Sequence, residues 1–269
     1  MKGRVWSTAL AMLPLWATLA LAQEKAEPAI EDNSFLIEEA YNQDAGVVQH
    51  ISTFSRAPGG AWAASFTQEW PWRGLADQLS YTVPLLHEGT TGFGDILLNY
   101  RRQAIGGPDA MLAMAPRLSL LLPTGSAPAG RGSGGVGLQA ALPVNLQVSS
   151  RFTTVLNAGG TWIPRAHDTR DHVAASLAGF LGGSVIWSAS PRLNLLVEAL
   201  WARTGEVVGD GRTRGRSEAW LNPGVRWAIN GAGGWQVVPG VAYTVGVGPS
   251  RGEDALFLYL SVEHAFRRR

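Results

Sequence analysis

The run of residues 255–266 alternates with a period of two. Leu256, Leu258, Leu260 and Val262 fall on one side, and Phe257, Tyr259, Ser261 and Glu263 on the other, which is the pattern of a strand with two unlike faces. One face is aliphatic; the other mixes aromatic rings with a hydroxyl and a carboxylate. Such a strand suits an apolar surround on the first side and a more polar interior on the second. The alternation recurs along the chain and predicts twelve strands from residue 46 onward, at 47–54, 62–70, 75–83, 92–101, 114–122, 136–148, 152–163, 173–187, 193–204, 218–229, 235–245 and 255–266.

Three of these strands show the two faces plainly. Leu118, Leu120 and Leu122 oppose Arg117 and Ser119; Leu138, Leu142, Val144 and Leu146 oppose Gln139, Asn145 and Gln147; Leu221, Val225, Trp227 and Ile229 oppose Glu218, Asn222, Arg226 and Asn230. With so many such strands beside Trp and Tyr, the second solvent is a bilayer. The prediction is an all-β fold, a transmembrane antiparallel β-barrel of about 12 strands, whose last strand pairs with its first so that no edge remains. An even count returns the chain to the side where the strands began, as in single-chain bacterial barrels. Trp62 and Trp70, on one face at opposite strand ends, are expected at the two interfaces, where an indole satisfies both its apolar body and its N–H. On this reading an arginine at Leu142 or Val225 meets hydrocarbon, and one at Gln139 or Asn222 is tolerated better.

The connections alternate as well. Those at 55–61, 84–91, 123–135, 164–172, 205–217 and 246–254 are mostly long and rich in Gly, Pro and charge, whereas 71–74, 149–151, 188–192 and 230–234 are short, with 102–113 the exception. Long loops on one rim and tight turns on the other are expected of an outer-membrane barrel. Pro143, Pro223 and Pro239 fall inside strands although proline cannot donate to a ladder, so bulges are expected at Asn222-Pro223-Gly224 and Pro239-Gly240.

Residues 1–22 read as a cleaved signal peptide, with Lys2 and Arg4, an apolar run and Ala20-Leu21-Ala22 at its end. Losing those two cations from 22 basic against 21 acidic side chains leaves a nearly neutral chain, which gives no support for nucleic-acid binding. The absence of cysteine excludes a disulfide scaffold and a thiolate metal site. The barrel is expected from residue 46 to 269, preceded by an acidic segment at 23–45. That segment carries seven carboxylates and reads either as a solvated leader or as a plug, with Asn33 or Ser34 capping a short helix over Phe35–Tyr41.

Alternation assigns Asp95, Asn99, Arg117, Gln139, Asn145, Glu198, Asn222, Arg226 and Glu263 to the lumen as pore-lining residues. Phe35, Glu38 and Glu39 are the plug or gate candidates, with the two carboxylates suited to lumen arginines. Other chemistry is thin. His50 and Ser52 have the spacing of the His-x-Ser pair of outer-membrane lipid hydrolases, but no orienting residue or oxyanion donor can be assigned. His167, Asp168, Asp171 and His172 read as a solvated loop rather than a metal site. The glycine-rich 125–137 stretch lacks a phosphate-loop ending.

Residues 30–43 with Gly46-Val47-Val48-Gln49-His50, then Gly92-Phe93-Gly94-Asp95-Ile96, Pro116-Arg117-Leu118-Ser119, Leu122-Pro123-Thr124-Gly125, and Asn222-Pro223-Gly224-Val225-Arg226-Trp227 resemble the outer-membrane transporter-like family named after the meta-pathway of phenol degradation. The resemblance spans nearly all of the chain after the signal. It implies an outer-membrane barrel, not an enzyme, that passes small hydrophobic or aromatic solutes and needs no cofactor. Its partners would be outer-membrane lipid, lipopolysaccharide and the barrel-assembly machinery. A structural or surface-interaction barrel with a blocked lumen is the alternative, and a lipid hydrolase a remote one.

Overall fold

The computed structural model describes residue 30 and residues 34–107 and 110–266. The signal-peptide assignment and the Arg267–Arg269 tail lie outside the described residues.

Fifteen strand segments make one antiparallel sheet. They are β1 (Val47–Arg56), β2 (Trp62–Pro71), β3 (Asp77–Glu88), β4 (Thr90–Phe93), β5 (Ile96–Arg102), β6 (Leu112–Met114), β7 (Arg117–Leu122), β8 (Gly137–Ser149), β9 (Phe152–His167), β10 (Val173–Ser190), β11 (Leu193–Gly209), β12 (Arg212–Trp227), β13 (Ile229–Asn230), β14 (Gln236–Gly246) and β15 (Ala255–Ala265). β4 with β5, β6 with β7, and β12 with β13 are interrupted halves of single strands that pair with one neighbour. The barrel therefore has twelve strands. It closes where β1 pairs with β15 from Val47↔Ala265 to Arg56↔Leu256.

The wall sorts by solvent. Leu138, Leu142 and Leu146 of β8 stay exposed on the outside, while Ala141, Pro143 and Asn145 between them are buried. On β15, Leu256, Leu258 and Leu260 face out, and Phe257, Tyr259 and Ser261 face in. An outer surface of this kind is stable only in lipid, because water would meet a continuous belt of leucine, valine and tryptophan. Aromatic pairs mark both rims, with Trp62 stacked on His87 at one and Trp70 edge-on to Tyr81 at the other.

Two expectations about the connections are corrected. Residues 205–217 are not a loop; β11 and β12 run on as a hairpin and turn only at Asp210-Gly211. Residues 84–91 likewise continue β3 and turn at Gly89 into β4. β9 to β12 are 16 to 18 residues long, well beyond the roughly 9–11 that cross a bilayer, so they project past the membrane on one rim. Residues 123–136 remain a long connection, and the two-residue turns at 150–151 and 191–192 lie on the other rim.

The expected proline bulges are also absent. Pro223 and Pro239 keep the register of their neighbours, and each lies opposite a gap in the β12–β14–β13 ladder. Pro143 lies opposite the break between β6 and β7. A residue without an N–H needs a missing ladder bond rather than an inserted residue, and an interrupted partner strand supplies one. A real irregularity occurs at Gly94-Asp95, where three residues of the β4–β5 link face two of β3.

With the strand extensions directed outward, a cysteine replacing Arg212 is expected to react with a membrane-impermeant maleimide on intact cells. One replacing Arg151 should react only after lysis. The chain has no native cysteine to confuse the readout, and the reverse pattern would invert the topology.

Candidate functional site

The lumen is occupied by residues 34–43. The expected helix is absent from this segment, and the reason is visible in its hydrogen bonds. The Glu198 carboxylate on β11 accepts the backbone N–H groups of Phe35, Leu36 and Ile37 at 2.9–3.1 Å. Asn157 accepts that of Glu38, Asn145 that of Ala40, Gln103 that of Asn42 and Gln78 that of Gln43. The N–H groups of Glu38 and Ala40, which would have closed turns of a helix over 35–41, are taken instead by Asn157 and Asn145 on the barrel wall, so the segment is bent rather than helical.

Side chains of the segment are fixed as well. Glu38 bridges Arg101 at 3.0 Å and Arg117 at 2.8 Å. Glu39 pairs with Arg226 at 2.9 Å, both almost wholly buried, and Asn145 donates to it. Phe35 sits against Phe257 and Tyr259, with ring centroids 5.6 and 5.3 Å away. Its ring fills a notch that exists only because residues 224 and 240 are glycine: a Cβ on either would stand 2.5 Å from a ring carbon. Ile37 packs beside Val155, Ile186 and Leu196. The segment thus rests its apolar side on the C-terminal half of the barrel and its charged groups on β5, β7 and β12.

The other lumen candidates divide. Asn222 is buried; it donates to Glu198 at 2.7 Å and accepts from Thr244. Asn99 donates to Ser80 and accepts from Arg117. Gln139 reaches only Thr161 on the next strand. Glu263 stands near the rim, paired across the sheet with Gln49 and Gln236. Asp95 serves a different place: it accepts the N–H groups of Gly125 and Ser133 and so ties down the 123–136 connection.

Sequence reasoning missed Arg101, which is buried and holds Glu38, Asn42 and the carbonyls of Glu39 and Tyr41. Its parity with Asn99 on the same strand was the signal. Asn157, Gln103, Gln78 and Glu69 were missed as well.

His50 and Ser52 face outward, since their cross-strand partners Val262 and Leu260 belong to the outer belt. The His50 ring meets His264 at 3.3 Å and stacks on Phe66. In the turn at 168–172 the histidines form two separate pairs, His167 with Asp171 and His172 with Asp168. The His172 hydrogen bond, helped by backbone N–H groups, holds the Asp168 carboxyl below its ordinary range.

Beside the segment, on the β1–β3 side, a cavity of about 290 Å³ remains. Thr53, Ser65, Thr67, Ser80 and Thr82 line it from the barrel wall, with Tyr259 and Ile51 paired across strands beside Thr53 and Thr67, and Phe35 and Leu36 line it from the segment. The hydroxyls pair across strands, Thr53 with Ser65 at 2.7 Å and Thr67 with Thr82 at 2.9 Å.

A closed twelve-strand barrel with an apolar belt outside and a polar, partly filled lumen defines a protein of the outer-membrane channel fold. Solved structures share it. A channel described as the COG4313 outer membrane channel from Pseudomonas putida F1 is 13% identical, over 84% of this chain and 98% of that one, with a TM-score of 0.60. The NanC porin is 8% identical over 82% and 100%, with a TM-score of 0.54. The family model described as "Putative MetA-pathway of phenol degradation" matches residues 35–253, and the chain belongs to that family. No curated protein matches it.

Proposed function

We propose that this protein is an outer-membrane channel for small hydrophobic or aromatic solutes, and that residues 34–43 are a plug inserted from the periplasmic rim. The observation that carries this reading is the cavity beside the segment, whose lining sets hydroxyls next to apolar and aromatic groups. Such a slot suits a single-ring solute that lays a face on Phe35 and Tyr259 and turns a polar edge to Thr53 and Thr67. Glu38, Glu69 and Arg117 also border it. Their charges are engaged with one another or with Arg101, so nothing in the slot favours an anion strongly.

A barrel with a permanently blocked lumen is the competing reading, favoured by the complete burial of Ile37 and Ala40. Planar-bilayer recording of the purified protein decides between them. A channel is expected to conduct and to show current block by phenol-like neutral solutes at lower concentration than by benzoate. Absence of conductance, together with no uptake of aromatic solutes into liposomes, would leave the blocked barrel.

A further inference from the structure

The lumen recognises its occupant largely through main chain. Asn157 accepts the N–H of Glu38 and donates to the carbonyl of the same residue, which is how a neighbouring strand would treat it. Gln103 accepts from Asn42 and donates to the carbonyl of Ala40, and Glu198 takes three successive N–H groups. None of these contacts depends on the occupant's residue types. Side chains select at other positions: the ring of Phe35 in its glycine notch, Ile37 in the space left by Gly182, Ala40 against Ala113 and Ala115, Glu38 on Arg101 and Arg117, and Glu39 on Arg226.

We propose that the barrel lumen is a peptide-binding site. Its ligand is a bent, non-helical peptide with an aromatic residue followed two positions later by an aliphatic one and three and four positions later by carboxylates, and the chain's own segment is a tethered example. Both ends of the segment lie at one rim, where Ile30 packs on Ala228 and Val238 and Gln43 bonds Gln49 near the start of β1. A free peptide therefore enters and leaves as a loop, without threading through the barrel. The covalent link contributes effective concentration, of millimolar order for a short flexible tether, and no contact of its own. The site is defined by these contacts whether or not a solute passes beside the segment.

The test uses the full chain with a protease site inserted at the exposed turn between Asp44 and Ala45, cut after folding. Size-exclusion chromatography reads whether the cut segment stays, and fluorescence anisotropy reads binding of a labelled peptide of residues 30–44. The cut segment should co-elute with the barrel, or the labelled peptide should replace it. Peptides carrying Phe35→Ala, or Glu38→Gln with Glu39→Gln, should bind at least about tenfold more weakly, a loss of about 1.4 kcal/mol. The uncut protein should bind no peptide. Loss of the segment on cleavage with no rebinding overturns the proposal, and so does equal binding of the altered peptides. Neither readout involves conductance, so a failure of the channel reading is seen separately.

Discussion

Changing Glu38 and Glu39 together to glutamine should release residues 34–43 from the lumen and raise single-channel conductance while the barrel stays folded. Glu39 and Arg226 form a buried pair, and removing one partner of such a pair costs about 3–5 kcal/mol because the other is left uncompensated. Glu38 adds two guanidinium contacts that Arg101 and Arg117 would lose. The released arginines would then face an aqueous lumen, where water pays their solvation, and the barrel wall keeps its full ladder of backbone bonds. The measurement is planar-bilayer conductance, with heat modifiability on gels as the check of folding. Unchanged conductance in a folded variant would rule out the plug.

Leu142→Arg should destabilise the barrel by about 2–4 kcal/mol, the depth-dependent cost of a cation on the lipid face near mid-bilayer. Leu142 lies at the centre of β8 and is exposed on the outer wall. Gln139→Arg, three residues earlier on the inner face, should cost less because Gln139 is only half-buried and bonds a single threonine. Asn222→Arg is not an equivalent control, although alternation alone suggests it. Asn222 is completely buried between Glu198 and Thr244, and no room exists there for a longer side chain. Urea unfolding in lipid vesicles would give the three values, and equal losses at Leu142 and Gln139 would contradict a bilayer outside the wall.

The parts of this fold legible in the sequence are those where two solvents impose opposite demands on neighbouring residues. Leu256 to Val262 and Leu138 to Leu146 could be read because lipid lies on one side and a packed lumen on the other. The outer halves of β11 and β12 could not. Arg212, Arg214 and Arg216 stand above the membrane with water on both faces, so no alternation is required of them, and a glycine-rich charged strand reads as a loop. The helix expected over Phe35–Tyr41 is absent for a related reason. A helix needs the N–H groups beyond its first turn to find acceptors within the segment, and here Asn157 and Asn145 take those of Glu38 and Ala40 from across the barrel. Arg101 was within reach, since counting by two from Asn99 finds it. Asn157 and Gln78 give no such hint, because an inward amide looks the same whether it meets a neighbour strand or a peptide.

Those distant acceptors also dictate an order of events. Gln78 lies 35 residues from the amide it receives and Glu198 as many as 163, so the segment has no docking surface until strands from both halves of the chain are side by side. Closing loops of that length early would cost entropy with no contacts in return. The stretch that precedes every strand is therefore the last to find its place, and until then the newly closed barrel stands open.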